Sequence, residues 1–358
     1  MKRTFLVLFT CMAALWMVAC NSQAPAAPAA TPQTIQVPIT VTVQIPGETT
    51  VVTAVVTTTP VPVGETTYES AEPETYVLTT FGDPETLDPA LNYESAGAGI
   101  IQQVYETLIT YERTDATSFV PQLAAEMPAV SEDGLSYEFT IRDGITFHNG
   151  NELTAEDVAY TFQRNMLQGG LASPQLLLTE PILGVGIYDI SEVLFADDPE
   201  AGDKVGDPTA VQAADAEALV ATCELLQSKI VADGNTVTFN LENPWAPFVS
   251  TLAGGWGSVM DKEWTIENGG WDGDCATWQN YYGITSENDP FTTITNGTGP
   301  YILDRWTPGE EIVLVANENY WRTEEIGSAA EGGPSGAPAL STIVIKNVVE
   351  FGTRFASL

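Results

Sequence analysis

Basic residues are scarce in this sequence: 12 Lys and Arg and a single His stand against 48 Asp and Glu, for a formal net charge of -36 at pH 7. A chain so acidic repels phosphate backbones, so nucleic acid is excluded as a partner. The sequence also lacks a Gly-x-Ser-x-Gly elbow, a His-Glu-x-x-His pair and a Cys/His nucleophile motif. We therefore expect no enzyme, no metal site and no cofactor.

The single histidine, His148, lies in "YEFTIRDGITFHNGNELTAEDVAYTF", between an alternating segment and a helix start at Thr154. The following Asn-Gly-Asn is typical of a turn. One histidine cannot form the usual zinc site, and a general base needs a partner that no motif supplies. His148 is therefore expected to pack or to cap the turn.

Long apolar runs are absent apart from residues 5–19, which follow Lys2 and Arg3 and end at "MVAC". This run is shorter than the ~18–20 residues that a bilayer span needs, and it has the layout of a secretory signal. The cysteine after small residues resembles the lipobox of bacterial lipoproteins. Residues 1–20 are therefore predicted to be a lipoprotein signal peptide, and acylation of Cys20 would anchor the exported protein at the outer face of the cytoplasmic membrane.

Cysteine is also rare, with four in the chain, and Cys11 and Cys20 belong to the signal segment. Cys223 and Cys275 remain in the folded part, and an exported chain lives where disulfides persist. We predict one disulfide between them. The alternative is a pair of separate buried thiols.

Two segments are predicted to lie outside the folded core. Residues 21–75 are rich in Ala, Pro, Thr and Val and contain no Lys or Arg, which favours a disordered tether. Because Thr/Val alternation also suits strands, a β-adhesive segment is the alternative, against which the prolines argue. Residues 195–208 form an acidic, Gly/Pro-rich segment, interpreted as a solvated loop, with calcium binding left open.

Local patterns after residue 76 predict both strands and helices. "LSYEFTI" and "NTVTFNL" alternate apolar and polar residues, each after an Asp-Gly turn signal, as half-buried hairpin strands do. "TAEDVAYTFQRNM" has a Thr cap and two acids in its first turn, which is typical of a helix start. "DAEALVATCELLQSKI" carries an apolar stripe that turns Cys223 inward.

Three ordered blocks are recognisable: "FGDPETLDPALNYESAGAGIIQQVYETLITYE", "PQLAAEMPAVSEDGLSYEFTIRDGITFHNGNELTAEDVAYTFQR" and "GTGPYILDRWTPGEEIVLVANENYWR". Together they resemble family 5 of the bacterial extracellular solute-binding proteins, the periplasmic oligopeptide- and dipeptide-binding subunits of ABC importers. The resemblance implies a mixed α/β fold of the periplasmic-binding-protein type II kind. It also implies a two-lobed clamp that closes over an extended peptide, docks on permease and ATPase subunits and is not itself an enzyme.

The resemblance also implies a domain division. Residues 76–345 would be the first lobe and residues 346–358 the start of the hinge crossing to a second lobe that this sequence does not contain. From this we expect an exposed sheet edge near residues 343–349. Alternatives are a surface sensor, a binding protein for another solute such as an oligosaccharide, or a non-functional fragment.

The ligand contacts implied by the resemblance come from two segments of the first lobe. They are Thr80, Phe81, Gly82, Asp83, Gly254, Gly255 and Trp256. Tyr105 and Trp278 are weaker candidates, because aromatic side chains more often belong to the core. "CATWQNYYG" is aromatic enough to suggest sugar stacking as an alternative.

Overall fold

The computed structural model describes residues 35–45, 48–58, 72–112, 115–170, 173–186, 189–322 and 338–356, and the chain divides into the compact units Met1–Ser70 and Ala71–Leu358. The strands are β1 (Ile35–Ile45), β2 (Glu48–Thr58), β3 (Thr75–Thr80), β4 (Ile109–Glu112), β5 (Asp115–Pro121), β6 (Ala129–Val130), β7 (Ser136–Thr140), β8 (Ile230–Asp233), β9 (Thr236–Asn240), β10 (Tyr301–Thr307), β11 (Glu311–Ala316) and β12 (Thr342–Asn347).

The α-helices are α1 (Ser95–Val104), α2 (Ala155–Gln168), α3 (Leu176–Leu183), α4 (Ser191–Leu194), α5 (Ala201–Lys204), α6 (Pro208–Gln212), α7 (Ala216–Lys229), α8 (Phe248–Leu252), α9 (Lys262–Glu267) and α10 (Phe351–Ala356). Within the part of the chain that the structure describes, no helix is both long and apolar enough to cross a bilayer. The predicted signal peptide and Cys20 lie outside the described residues.

In the unit Met1–Ser70, β1 and β2 pair as an antiparallel hairpin from Ile35 opposite Thr58 to Ile45 opposite Glu48. These two segments are therefore extended strands, as their Thr/Val alternation allows. Pro38 lies within β1, opposite Val55. In a two-stranded hairpin each strand keeps one edge outside the ladder, so a residue without an N–H is tolerated there. The boundaries 21–75 stay a prediction.

In the unit Ala71–Leu358, strands β6-β7-β9-β8 form an antiparallel sheet, called sheet II. The predicted alternation is confirmed, since Phe139 of β7 and Phe239 of β9 are fully buried. Gly234, with φ +57°, makes the turn that joins β8 to β9. Sheet II thus buries one face and leaves polar side chains on the other.

Helices α2 and α7 cover the buried face of sheet II. The predicted Thr154 cap of α2 is confirmed: Asp157 N–H donates to the Thr154 hydroxyl, and Thr154 N–H donates back to the Asp157 carboxylate at 2.8 Å. Phe162 of α2 meets the Phe239 ring edge-on at 4.9 Å between centroids. Cys223 of α7 is fully buried and forms a disulfide with Cys275, with 5.3 Å between their Cα atoms.

A second sheet, called sheet I, has the order β10-β11-β12-β3 and packs against α1. Residues 343–349 were expected to form an exposed edge, and this prediction is wrong for the strand concerned. β12 lies inside the sheet, antiparallel to β11 and parallel to β3, from Thr342 opposite Thr75 to Asn347 opposite Thr80. Among the described strands the open edges of sheet I are β10 and β3.

A charged cluster is buried where the segment before α1 meets α2. Arg164 forms a bidentate ion pair with Asp88, at 2.6 Å and 3.1 Å, and both side chains are almost inaccessible to solvent. Asp289 is 6% exposed, and neither of its carboxylate oxygens has a hydrogen-bond partner among the described residues. Burial, followed by the negative charge of Asp88, raises the pKa of Asp289 to about 8, although Arg164 opposes this.

We predict that Asp289→Asn flattens the dependence of stability on pH. The folded chain keeps a proton on Asp289 that the unfolded chain releases near its ordinary pKa of 3.8, so the wild-type free energy of unfolding falls as pH rises from about 4 to about 8. Asn mimics the protonated acid and does not titrate. Between pH 6 and pH 9, the free energy of unfolding measured by urea denaturation should fall by at least ~1 kcal/mol less in Asp289→Asn than in the wild type.

The matched control is Glu287→Gln, which removes a nearby exposed carboxylate and should follow the wild-type curve. Parallel pH curves for the wild type and Asp289→Asn would contradict a buried proton at Asp289.

Candidate functional site

A cleft of about 640 Å³ lies beside helix α1 in the unit Ala71–Leu358. One wall is α1 with the residues that precede it, and the other is the segment 253–258, which follows α8. Tyr111 on β4, Gln122 after β5 and Tyr320 also line the cleft. A cleft of this size, bounded by pre-formed elements, suits a small ligand.

A second opening of about 290 Å³ adjoins the cleft, and the two share Ser95 at the start of α1. Its lining is mostly apolar and includes Ile100 of α1, Ile312 of β11 and Ile345 of β12. We call this opening the side pocket. It lies at the end of β3, where sheet I meets α1.

The seven predicted ligand contacts divide between these two openings. Gly254, Gly255 and Trp256 line the cleft, and Thr80, Phe81, Gly82 and Asp83 line the side pocket. The Phe81 side chain is 74% exposed and so can be reached by a ligand. Asp83 is already engaged: its carboxylate accepts hydrogen bonds from Gly309 N–H and from the Asn347 amide. Asp83 therefore holds the loop, with each of its carboxylate oxygens already accepting a hydrogen bond.

Trp256 is held in one orientation by its surroundings. Its indole N–H donates to the Thr251 carbonyl at 2.8 Å, and its ring lies 5.9 Å from that of Tyr93. The backbone of Gly254 runs so close to the indole that a Cβ there would be 2.4 Å from Cε2. At Gly255, by contrast, the nearest atom to a new Cβ is on Ile101, at 3.8 Å. Only the first glycine is required by packing.

We predict that Gly254→Ala and Gly255→Ala have different effects on the free energy of unfolding, although the two positions are neighbours and the substitution is the same. Gly254→Ala forces the indole away and should lower the free energy of unfolding by ~1–3 kcal/mol, the range for overpacked sites. Gly255→Ala adds a methyl group at ordinary contact distance and should stay within ~0.5 kcal/mol of the wild type. Urea denaturation measures both. Equal effects would contradict the packing of Trp256 over Gly254.

A buried carboxylate, Glu106, fixes the position of the cleft wall just beyond α1. It accepts hydrogen bonds from four side chains in three distant segments: Gln122 at 3.0 Å, Thr298 at 2.9 Å, Tyr320 at 2.7 Å and Trp321 at 2.5 Å. Burial raises the pKa of Glu106, and the bonds from Trp321 and Tyr320 act in the opposite direction. A buried polar group with its donors in place is a strong constraint on the fold.

His148 holds the loop 297–299, which also contains Thr298, one of the donors to Glu106. Its Nδ1 accepts from Gly297 N–H at 3.4 Å, and its Nε2 lies 3.0 Å from the Gly299 carbonyl. Burial lowers the pKa of His148, so the neutral tautomer with the proton on Nε2 fits both contacts. A Cβ at Gly297 would lie 2.0 Å from the Val104 carbonyl, so glycine is required where this loop crosses the end of α1.

We predict that Glu106→Gln lowers the free energy of unfolding by ~1–3 kcal/mol, because an amide cannot accept all four donors and leaves one of them unpaired. The same substitution at Glu112, an exposed position of β4, should change it by less than ~0.5 kcal/mol. Chemical denaturation at neutral pH measures both variants. A Glu106→Gln protein as stable as Glu112→Gln would contradict the constraint assigned to this carboxylate.

Sequence reasoning missed several residues that line the cleft. They are Asn92, Tyr93, Gln102, Gln103, Gln122 and Tyr320. Of the weaker candidates, Tyr105 lines the cleft although it is almost fully buried, whereas Trp278 lies in the core and donates its indole N–H to the Leu219 carbonyl. The segment "CATWQNYYG" was expected to offer aromatic rings for sugar stacking. Trp278 and Tyr282 of this segment are buried and are not accessible to a sugar.

Across the described ranges, no group of three or more His, Cys, Asp or Glu side chains is placed to hold a metal ion. In the acidic segment 195–208, Asp198 pairs with Lys204 at 2.7 Å and caps the backbone at Glu200. The predicted loop therefore contains the short helix α5, and Asp198 stabilises it by contacts with Lys204 and Glu200.

A family model described as "Bacterial extracellular solute-binding proteins, family 5 Middle" matches residues 118–358. Di/tripeptide-binding protein 2 of Pseudomonas aeruginosa is 26% identical over 299 residues, which cover 80% of this chain and 44% of the relative. Dipeptide-binding protein of Escherichia coli is 26% identical over 307 residues, covering 83% and 45%. Heme-binding protein A of Haemophilus influenzae is 26% identical over 305 residues, covering 82% and 44%. The chain spans less than half the length of these curated relatives.

Solved structures share the fold. The substrate-binding domain of an oligopeptide ABC transporter from Bacillus anthracis superimposes with a TM-score of 0.52 at 20% identity, over 80% of this chain and 43% of that one. Listeria monocytogenes OppA bound to peptide gives a TM-score of 0.52 at 20% identity, over 79% and 44%. The mixed α/β architecture predicted from the sequence is therefore confirmed, over the part of those structures that this chain spans.

Proposed function

The chain belongs to the bacterial extracellular solute-binding proteins of family 5, and we propose that it captures peptides outside the cytoplasmic membrane for a permease of an ABC importer, without catalysing a reaction on them. The observation that carries this proposal is the cleft of about 640 Å³ beside α1, which shares the lining residue Ser95 with the side pocket at the end of β3. The relatives named as peptide-binding proteins support the ligand class.

The two openings suit an extended peptide better than a compact solute. A main chain running from the cleft past Ser95 to the side pocket would place one side chain against Trp256 and another against Ile312 and Ile345. The segment 80–83 follows the edge strand β3, whose outer side is unpaired among the described strands. A peptide backbone can add to such an edge by β-augmentation, with side-chain pockets giving specificity.

Placement outside the cell rests on the N-terminal residues. The apolar run 5–19 and the lipobox-like Cys20 support export and lipid anchoring, and residues 21–75 would span the distance from the membrane to the binding unit. The disulfide between Cys223 and Cys275 fits an oxidising compartment outside the cytoplasm. In this arrangement the binding protein stays at the surface and passes its ligand to permease and ATPase subunits.

We expect purified protein to bind tri- and tetrapeptides in isothermal titration calorimetry and to be stabilised by them against heat. Trp256→Leu should weaken binding about tenfold or more, equal to about 1.4 kcal/mol, because it removes a wall of the cleft. Trp245→Leu is the matched control, since this partly exposed tryptophan lines neither opening. Failure of every peptide to give heat or thermal stabilisation at millimolar concentration would refute the proposal.

A further inference from the structure

The charged side chains that line the cleft are acidic, and Arg322, whose positive charge opposes the rise that burial causes in the pKa of the lining residue Glu106, is not one of the lining residues. Among the described residues that line it, Glu94 and Glu106 are acidic and none is Lys, Arg or His. The other polar side chains include the neutral amides of Asn92, Gln102 and Gln122. A ligand carboxylate that left water to enter this cleft would meet no cationic partner there, and burying an unpaired charge is costly.

Glu94 and Glu106 contribute to a negative electrostatic potential in the cleft, but both carboxylates already accept hydrogen bonds within the protein. Glu94 caps α1, accepting from Ala96 N–H at 2.5 Å and Gly97 N–H at 2.7 Å. Glu106 is buried beneath its four donors. A cation in the cleft would therefore gain from the surrounding negative potential, while direct contact has to come from other groups.

The Tyr93 and Trp256 rings supply that contact. Their centroids are 5.9 Å apart with 55° between the planes, and Tyr93 is 61% exposed. Because the Trp256 indole N–H is occupied by the Thr251 carbonyl, its edge is fixed. Aromatic faces attract ammonium and guanidinium groups, and the attraction grows as water is excluded.

We propose that this cleft selects peptides with a Lys or Arg side chain in the part that lies against the Tyr93–Trp256 pair, and disfavours peptides with a side-chain carboxylate there. This inference rests on the proposed peptide-binding function and specifies its ligand class. The aromatic pair provides short-range attraction, and the absence of basic lining residues provides discrimination against anions.

The test compares Ala-Lys-Ala, Ala-Ala-Ala and Ala-Glu-Ala, which have the same length and the same termini, by isothermal titration calorimetry at low and high NaCl. We expect the Lys peptide to bind at least ~10-fold more tightly than the Glu peptide, with a ratio that shrinks as salt screens the negative field. Tyr93→Leu should reduce this ratio more than Tyr93→Phe does, because only the latter keeps the ring. Trp245→Leu serves as the variant outside the cleft, with an unchanged ratio.

The outcomes separate this inference from the function on which it rests. If the three peptides bind equally, or if the Glu peptide binds best, the charge selection is overturned and peptide capture stands. If the ratio persists unchanged in Tyr93→Leu, the aromatic pair is not its source and the inference is overturned as well. If none of the three peptides binds, peptide capture fails and the charge selection fails with it.

Discussion

The buried carboxylate of Glu106 is the constraint on which the candidate site depends. Its four donors come from positions as far along the chain as Thr298 and Trp321, and no local pattern would bring them together. A carboxylate excluded from water is tolerated only where donors surround it. The chain after β5 at Gln122, the loop at Thr298 and the segment Tyr320–Trp321 must therefore all reach Glu106 and close around it. That closure sets the end of α1, and α1 is one wall of the cleft.

The three sequence blocks that carry the family resemblance meet at contacts of this kind. Asp88 of the first block pairs with Arg164 of the second, His148 of the second holds the loop at Gly297, and Glu106 of the first accepts from Thr298 of the third. The residues that carry the resemblance therefore include contacts that hold the fold together as well as residues that line the cleft. The histidine of the second block thus has a structural role, because it holds the loop of the third block.

Much of the local structure was predictable because it follows from periodicity over five to fifteen residues. The alternation of β7 and β9, the capping box of α2 and the inward side of α7 were each legible in short windows. The pairing between strands that are distant in the sequence was not predictable from such short windows. Nothing in residues 342–347 indicates that β3, far earlier in the chain, adds outside β12, and Pro38 argued against a strand that the hairpin tolerates. The cleft was partly predictable: Trp256 and its glycines came from the resemblance, whereas Gln102 and Gln103 look like any polar residues on the outer side of a helix.

The scarcity of basic residues, the first feature of the sequence, also governs the electrostatics of the site. Of the cations in the described part of the chain, Arg164, Lys204, Lys229, Lys262 and Arg305 form ion pairs with acids of the chain itself. In a chain with four acidic residues for each Lys or Arg, carboxylates of the chain itself compete with a ligand for the cations. A binding site that recognised carboxylates would need a cation that is not already paired with an acidic side chain of the protein. Arg164 does not meet this condition, because it forms a bidentate ion pair with Asp88. The composition therefore favours a cleft that recognises ligands through aromatic faces, amides and backbone groups, with anions kept out by the field of the whole protein.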